Sequence, residues 1–163
     1  LPPAMRRLTR IPWLRTGRGV AWFFVFGEID VRCHLAPRME NGREDLAFVT
    51  TYIERVHAFV GGLGATAATV VVPVPPSVDV LDHEAFPVAG SVQARLAAHR
   101  AVREQLIAAA ALSRGGPFLR TLDLTEALAD PAGLMRPEFT DDGCHTNDAG
   151  RIVVRREVAA HLH

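Results

Sequence analysis

Ala21-Trp22-Phe23-Phe24-Val25-Phe26, running into Gly27-Glu28-Ile29-Asp30-Val31-Arg32-Cys33-His34, is the stretch on which the fold turns. An apolar run closed by a glycine reads as a strand buried on both faces, the kind that builds parallel sheets. Beyond the glycine, ionisable residues fall at alternate positions: Glu28, Asp30, Arg32 and His34. Successive side chains of a strand point to opposite faces. If the extended backbone continues, these four project to one side and Ile29, Val31 and Cys33 to the other. Charge at the end of a buried strand is costly unless it is paired or used, and open α/β sheets bind their ligands at that end. Glu28, Asp30, Arg32 and His34 are therefore candidate substrate-binding residues. The competing reading is a salt-bridge cluster that compensates itself and fixes the loop; two acids beside two cations satisfy either. The two readings can coexist, with Asp30 orienting Arg32 toward a substrate oxygen.

Outward from this strand, Pro37 to Gly42 reads as a loop. Leu46, Val49, Ile53, Val56 and Val60 then follow helical spacing within residues 43–60,. Gly61, Gly62 and Gly64 close that helix. Residues 68–74, rich in β-branched Thr and Val, form a second strand whose end is marked by Pro73, which has no N–H for a ladder,. Pro75 to Gly90 is long for a connection, which makes it a candidate functional loop. Ser91 predicts the N-cap of a helix through Leu112. Phe118 to Leu122 is a third strand, Thr125 to Ala129 a short helix, and Asp130 to Asn147 a second long loop. Asn147 or Asp148 opens a terminal helix through about Leu162. Residues 1–19, rich in Arg, Pro and Gly, read as irregular. Alternating strands and helices predict an α/β fold over residues 1–163 as one domain, a parallel sheet with flanking helices. Doubly wound sheets usually have about five strands or more. A first strand is therefore expected upstream of residue 1, and an incomplete edge could equally be closed by a second copy, as a homodimer.

Composition narrows the partners. The chain has 163 residues, 48% of them hydrophobic, and 18 basic residues, all arginine, against 18 acidic ones. That balance gives no electrostatic footprint for nucleic acid. Cys33 and Cys144 are too few for a disulfide scaffold. No apolar run approaches the roughly 20 residues of a membrane span, and the N-terminus lacks the order of a signal peptide. A cytoplasmic protein without a membrane partner is the expectation. No cofactor is implied and no metal is expected. Cys33-His34 and Cys144-His145 do offer zinc-type donors, but adjacent ligands are not the usual zinc spacing.

The second constellation is Thr140-Asp141-Asp142-Gly143-Cys144-His145-Thr146-Asn147-Asp148. An Asp three residues before a His, on a loop entering the last helix, has a clear chemical use: His145 as general base, Asp142 fixing its tautomer and stabilising its charged form. Its plain alternative is a helix-start loop in which the Asp caps and the His is incidental. Asp142-Gly143-Cys144-His145 resembles the block of the SGNH (GDSL-like) hydrolase superfamily that supplies catalytic Asp and His from one loop. Gly27-Glu28-Ile29-Asp30 resembles its Gly-x-Asn-Asp block at a central strand end. The resemblance spans roughly residues 20–162 and implies a flavodoxin-like SGNH-hydrolase fold that could lack its first strand. It implies an SGNH-type hydrolase or acyltransferase acting on an ester of a small molecule or glycan. His145 and Asp142 would be catalytic, and the nucleophilic Ser is expected upstream of this chain.

Departures from the pattern define the alternative. No Gly-Asp-Ser block is present, and Ile29 stands where the family has an oxyanion-donating Asn. Isoleucine has no donor to offer, and loss of one such donor typically costs about a hundredfold or more in rate. A catalytically altered domain that binds a ligand or a protein partner is the second reading, and a zinc-dependent hydrolase using the Cys-His pairs is a third. Ser77, just past the second strand, reads as a turn residue or a replacement nucleophile.

Overall fold

A computed structural model describes residues 20–43, 46–81, 88–112 and 116–163. The expectation for residues 1–19 lies outside the described residues. Three parallel strands form the sheet in the order β1 (Phe23–Val25), β2 (Ala67–Val71) and β3 (Phe118–Leu122). Phe23 sits opposite Thr69 and Val25 opposite Val71; Ala67 sits opposite Phe118 and Val71 opposite Leu122. The helices are α1 (Ala36–Glu40), α2 (Ala47–Gly62), α3 (Val92–Leu112), α4 (Thr125–Leu128) and α5 (Asp148–Leu162). The predicted α/β class with a parallel sheet and flanking helices is what the chain forms, in a flavodoxin-like arrangement.

The sheet separates two cores. On one side Val70, Ala68 and Leu119 pack with Val49, Ile53, Val56 and Val60 of α2 and Ala98, Val102 and Leu106 of α3. On the other, Val71 and Leu122 pack with Leu124, Leu128 and Met135, against Val153, Val154 and Val158 of α5. The strand pleat produces this division, because alternate residues face opposite layers. Where α5 runs out, His161 covers the sheet: its Nε2 lies 3.0 Å from the buried Thr69 hydroxyl and its ring lies near Phe23. The expected caps are present. The Ser91 hydroxyl accepts from the Ala94 N–H at 3.1 Å, and the Asn147 side chain accepts from the Gly150 N–H at 3.1 Å.

The main correction falls on the opening stretch. The first strand is only Phe23–Val25, and the chain is helical from Glu28 through Glu40, where alternation predicts an extended run and Pro37 to Gly42 a loop. Gly27, at φ +97°, turns the backbone out of the sheet, and its carbonyl accepts the Val31 N–H at 2.9 Å to start the helix,. Asp30–Leu35 is wound as a π-helix before α1. Pro37, near the start of α1, explains the wider winding. Its ring crowds the preceding turn and it cannot donate back to the helix, so the backbone opens there.

Helix α3 positions the ends of β2 and β3. After β2 the chain reads Val72-Pro73-Val74-Pro75-Pro76-Ser77. Prolines there forbid a ladder, leaving carbonyls that must be satisfied from elsewhere. His99, 1% exposed, meets the Pro73 carbonyl at 2.9 Å. A carbonyl only accepts, so Nε2 carries the proton. One turn on, Arg103 Nε binds the Asp123 carboxylate at 2.6 Å, just past β3.

Burial holds the His99 imidazole below its usual range, in the neutral form. In the unfolded chain the same ring gains a proton near pH 6.5. Below that pH the unfolded state binds more protons, so stability falls as pH drops toward the folded value. We expect His99→Gln, which keeps a donor and removes the titration, to flatten the decline in melting temperature between about pH 7 and 5. Melting curves across that range, compared with the native chain, provide the check; identical slopes would remove His99 as the source.

Candidate active site

All candidate residues lie beyond the carboxyl ends of the strands, but the structure sorts them differently from the sequence. Helical winding puts residues four apart on one face. Glu28 and Arg32 therefore pair, with Arg32 Nε 2.7 Å from the Glu28 carboxylate, the arginine side chain being only 12% exposed. Asp30 and His34 turn to another surface, with Arg38 and Phe48. The four do not share a face, and the partner holding Arg32 Nε is Glu28 rather than Asp30. Ile29 is exposed in the first helical turn.

The Asp142–His145 loop is built as a tight turn around one carboxylate. Oδ1 of Asp142 accepts the backbone N–H groups of Cys144 and His145, each at 2.7 Å. Oδ2 lies 2.6 Å from His145 Nδ1. Burial would raise the Asp142 carboxyl, but the hydrogen bonds from the His145 ring and from these two N–H groups hold it well below the usual carboxylate range. The ionised carboxylate accepts, so Nδ1 carries the proton, and in the neutral ring Nε2 is the acceptor. The His145 side chain is 77% exposed. The Thr140 hydroxyl accepts the Gly143 N–H at 2.8 Å, and Thr140 bridges Thr146 across the turn.

This turn rests on the loop after β2. Leu81 N–H donates to the Asp142 carbonyl at 2.9 Å. Gly143 has φ +75°, and a Cβ there would overlap the Asp79 carbonyl oxygen and stand 2.8 Å from Val80 Cα. Only glycine allows that approach. Arg95 completes the loop from α3: it is 5% exposed and donates to the Gly90, Ser77 and Val78 carbonyls. Burial pulls its guanidinium pKa down. Ser77 is also buried, and its hydroxyl has no hydrogen-bond partner among the described residues.

Sequence reasoning alone assigns no role to Arg95 or to His99. The available signal is Arg95, His99 and Arg103 at four-residue spacing, one polar stripe beside the apolar Ala94, Ala98, Val102 and Leu106. Cys144 is buried, and burial pushes its thiol up, against a smaller opposing effect of Arg32, which disfavours a thiolate nucleophile,. Among the described residues, no three His, Cys, Asp or Glu side chains converge to hold a metal ion, and no helix is long and apolar enough to cross a membrane.

A scan of known protein families finds no match, and no curated protein matches the chain. Three solved chains match. One is described as "a putative platelet activating factor from Streptococcus pneumonia", with a TM-score of 0.60 at 16% identity, covering 88% of this chain and 59% of that one. The likeness establishes the fold. This chain spans about three-fifths of that structure's length.

The contact at Gly143 gives a direct test of how the site is held. Gly143→Ala is expected to cost about 1–3 kcal/mol from the left-handed backbone alone, and more from overlap with Asp79. Gly64, at φ +70° with open space to 4 Å around the place a methyl group would take, supplies the control. Gly64→Ala should lose clearly less stability in chemical denaturation; equal losses would mean that the loops do not press together at Gly143.

Proposed function

We propose that the chain carries the acid–base half of an SGNH-type hydrolase or acyltransferase that acts on an ester of a small molecule or glycan. The observation that carries this reading is the Asp142–His145 pair: ring Nδ1 held at 2.6 Å by an ionised carboxylate, on a side chain largely open to solvent. In this reading Nε2 takes the proton of a serine hydroxyl as its oxygen attacks the ester carbonyl. The same nitrogen returns that proton to the departing alkoxide, leaving an acyl-enzyme. Water, or an acceptor hydroxyl in a transferase, repeats the sequence in reverse order. The serine is proposed to come from sequence outside residues 1–163. Ser91 is engaged as a helix cap and Ser77 is buried. The outer side of β1 supports such a segment: it is a sheet edge among the described strands, with Val25 72% exposed,.

A second reading, a domain that binds without turnover, is favoured by Ile29. At the position of the family's amide donor it offers hydrocarbon alone, in a helix rather than an extended loop,.

The full-length protein distinguishes the two. His145→Ala should reduce turnover of an activated p-nitrophenyl ester by about a hundredfold or more, with the fold retained. A serine-directed fluorophosphonate should label the native protein. Native-level activity in His145→Ala sinks the catalytic reading; no labelling together with no turnover supports the binding domain.

A further inference from the structure

Beside the loop that presents His145, the protein buries more hydrogen-bond donors than it uses. Arg95 spends its terminal nitrogens on three backbone carbonyls, but its Nε has no partner among the described residues. No described carboxylate pairs with it, although it is 5% exposed. The Ser77 hydroxyl, in a residue 4% exposed, is equally unpartnered among the described residues. Both residues line one recess of about 20 Å³, together with Glu28, Arg32, Gly143 and Cys144. That volume admits one water-sized group.

The charges around the recess are unequal. Glu28 is engaged by Arg32 Nε at 2.7 Å, so this carboxylate and this guanidinium offset each other. Arg95 faces only neutral carbonyls among the described residues. A buried cation and buried donors without partners are both costly. The group that relieves all of them at once is a single acceptor oxygen with negative charge. A carboxylate presents such an oxygen on a small planar group; a phosphate brings three oxygens into a space sized for one.

We infer that this recess is a subsite for one oxygen of a substrate carboxylate, toward which the closed-off Arg95 Nε and Ser77 hydroxyl turn to donate, with Arg32 alongside. The inference rests on the proposed function for its meaning, because it makes the substrate an ester of an acidic molecule. Ser77 then has a role as a binding donor, where neither turn nor nucleophile accounts for a buried, unpartnered hydroxyl.

The test reads binding rather than turnover, so either proposal can fail alone. In the full chain labelled with nitrogen-15, the Arg95 Nε–Hε resonance is assigned by its loss in Arg95→Lys. Sodium formate is then titrated against sodium chloride at equal ionic strength. The expected result is a saturable shift with formate and none with chloride. Ser77→Ala should raise the midpoint about five- to tenfold while keeping the melting temperature, since its hydroxyl has no hydrogen bond to lose. No saturable shift, or equal responses to the two salts, means that the recess holds water only and overturns the inference. A midpoint unchanged in Ser77→Ala overturns it as well.

Discussion

Three prolines directly after β2 create an unmet demand for hydrogen-bond donors, and the site is arranged around the way helix α3 meets it. The segment from Pro73 to Val78 can form neither a ladder nor a helix, so its buried carbonyls need donors from outside. His99 supplies one to Pro73, Arg95 supplies Ser77 and Val78, and the Met135 N–H supplies Pro76 at 2.9 Å. An irregular segment is thereby fixed between a helix and the second core. The Asp142–Gly143 turn rests on the continuation of this loop, through Leu81 and the glycine contact at Asp79. The position of His145 therefore depends on side chains of a helix that lies far from it in sequence.

The other wall of the site comes from β1 through the turn at Gly27. A positive φ there starts a helix in place of a longer strand, and four-residue spacing then pairs Glu28 with Arg32. The π-helical winding before Pro37 is the local adjustment that lets a proline follow a continuous helix. Its effect is to split the charged octapeptide in two. Glu28 and Arg32 reach the recess beside Cys144, and Asp30 and His34 face a separate surface.

Electrostatically the two parts of the site are complementary. Asp142 is satisfied three times over and poises one exposed imidazole. The recess next to it holds positive charge and unused donors instead. The flavodoxin-like sheet places both the imidazole and the recess at the strand ends where such folds bind ligands.

Much of the fold was legible along the chain. Phe118 to Leu122, the helix capped by Ser91 and the terminal helix capped by Asn147 follow from hydrophobic runs and capping residues, because those signals are local. The Asp142 and His145 contact was legible for the same reason: two residues three positions apart on one turn cannot be far from each other. Glu28 to His34 was not. Alternate charges satisfy strand period two, yet positions four apart satisfy a helix equally, and no local term decides between them. The packing of Val31 and Leu35 into the core decided it. Arg95, His99 and Ser77 were hidden for a related reason. Their roles depend on carbonyls and cavities supplied by distant segments, which exist only once the sheet and α3 are docked. The sequence by itself determined the alternation of elements and the His–Asp turn, since each depends on neighbours in the chain. Tertiary structure alone decided which charged groups share a wall and which donors are left unused, since burial is a property of the assembled layers.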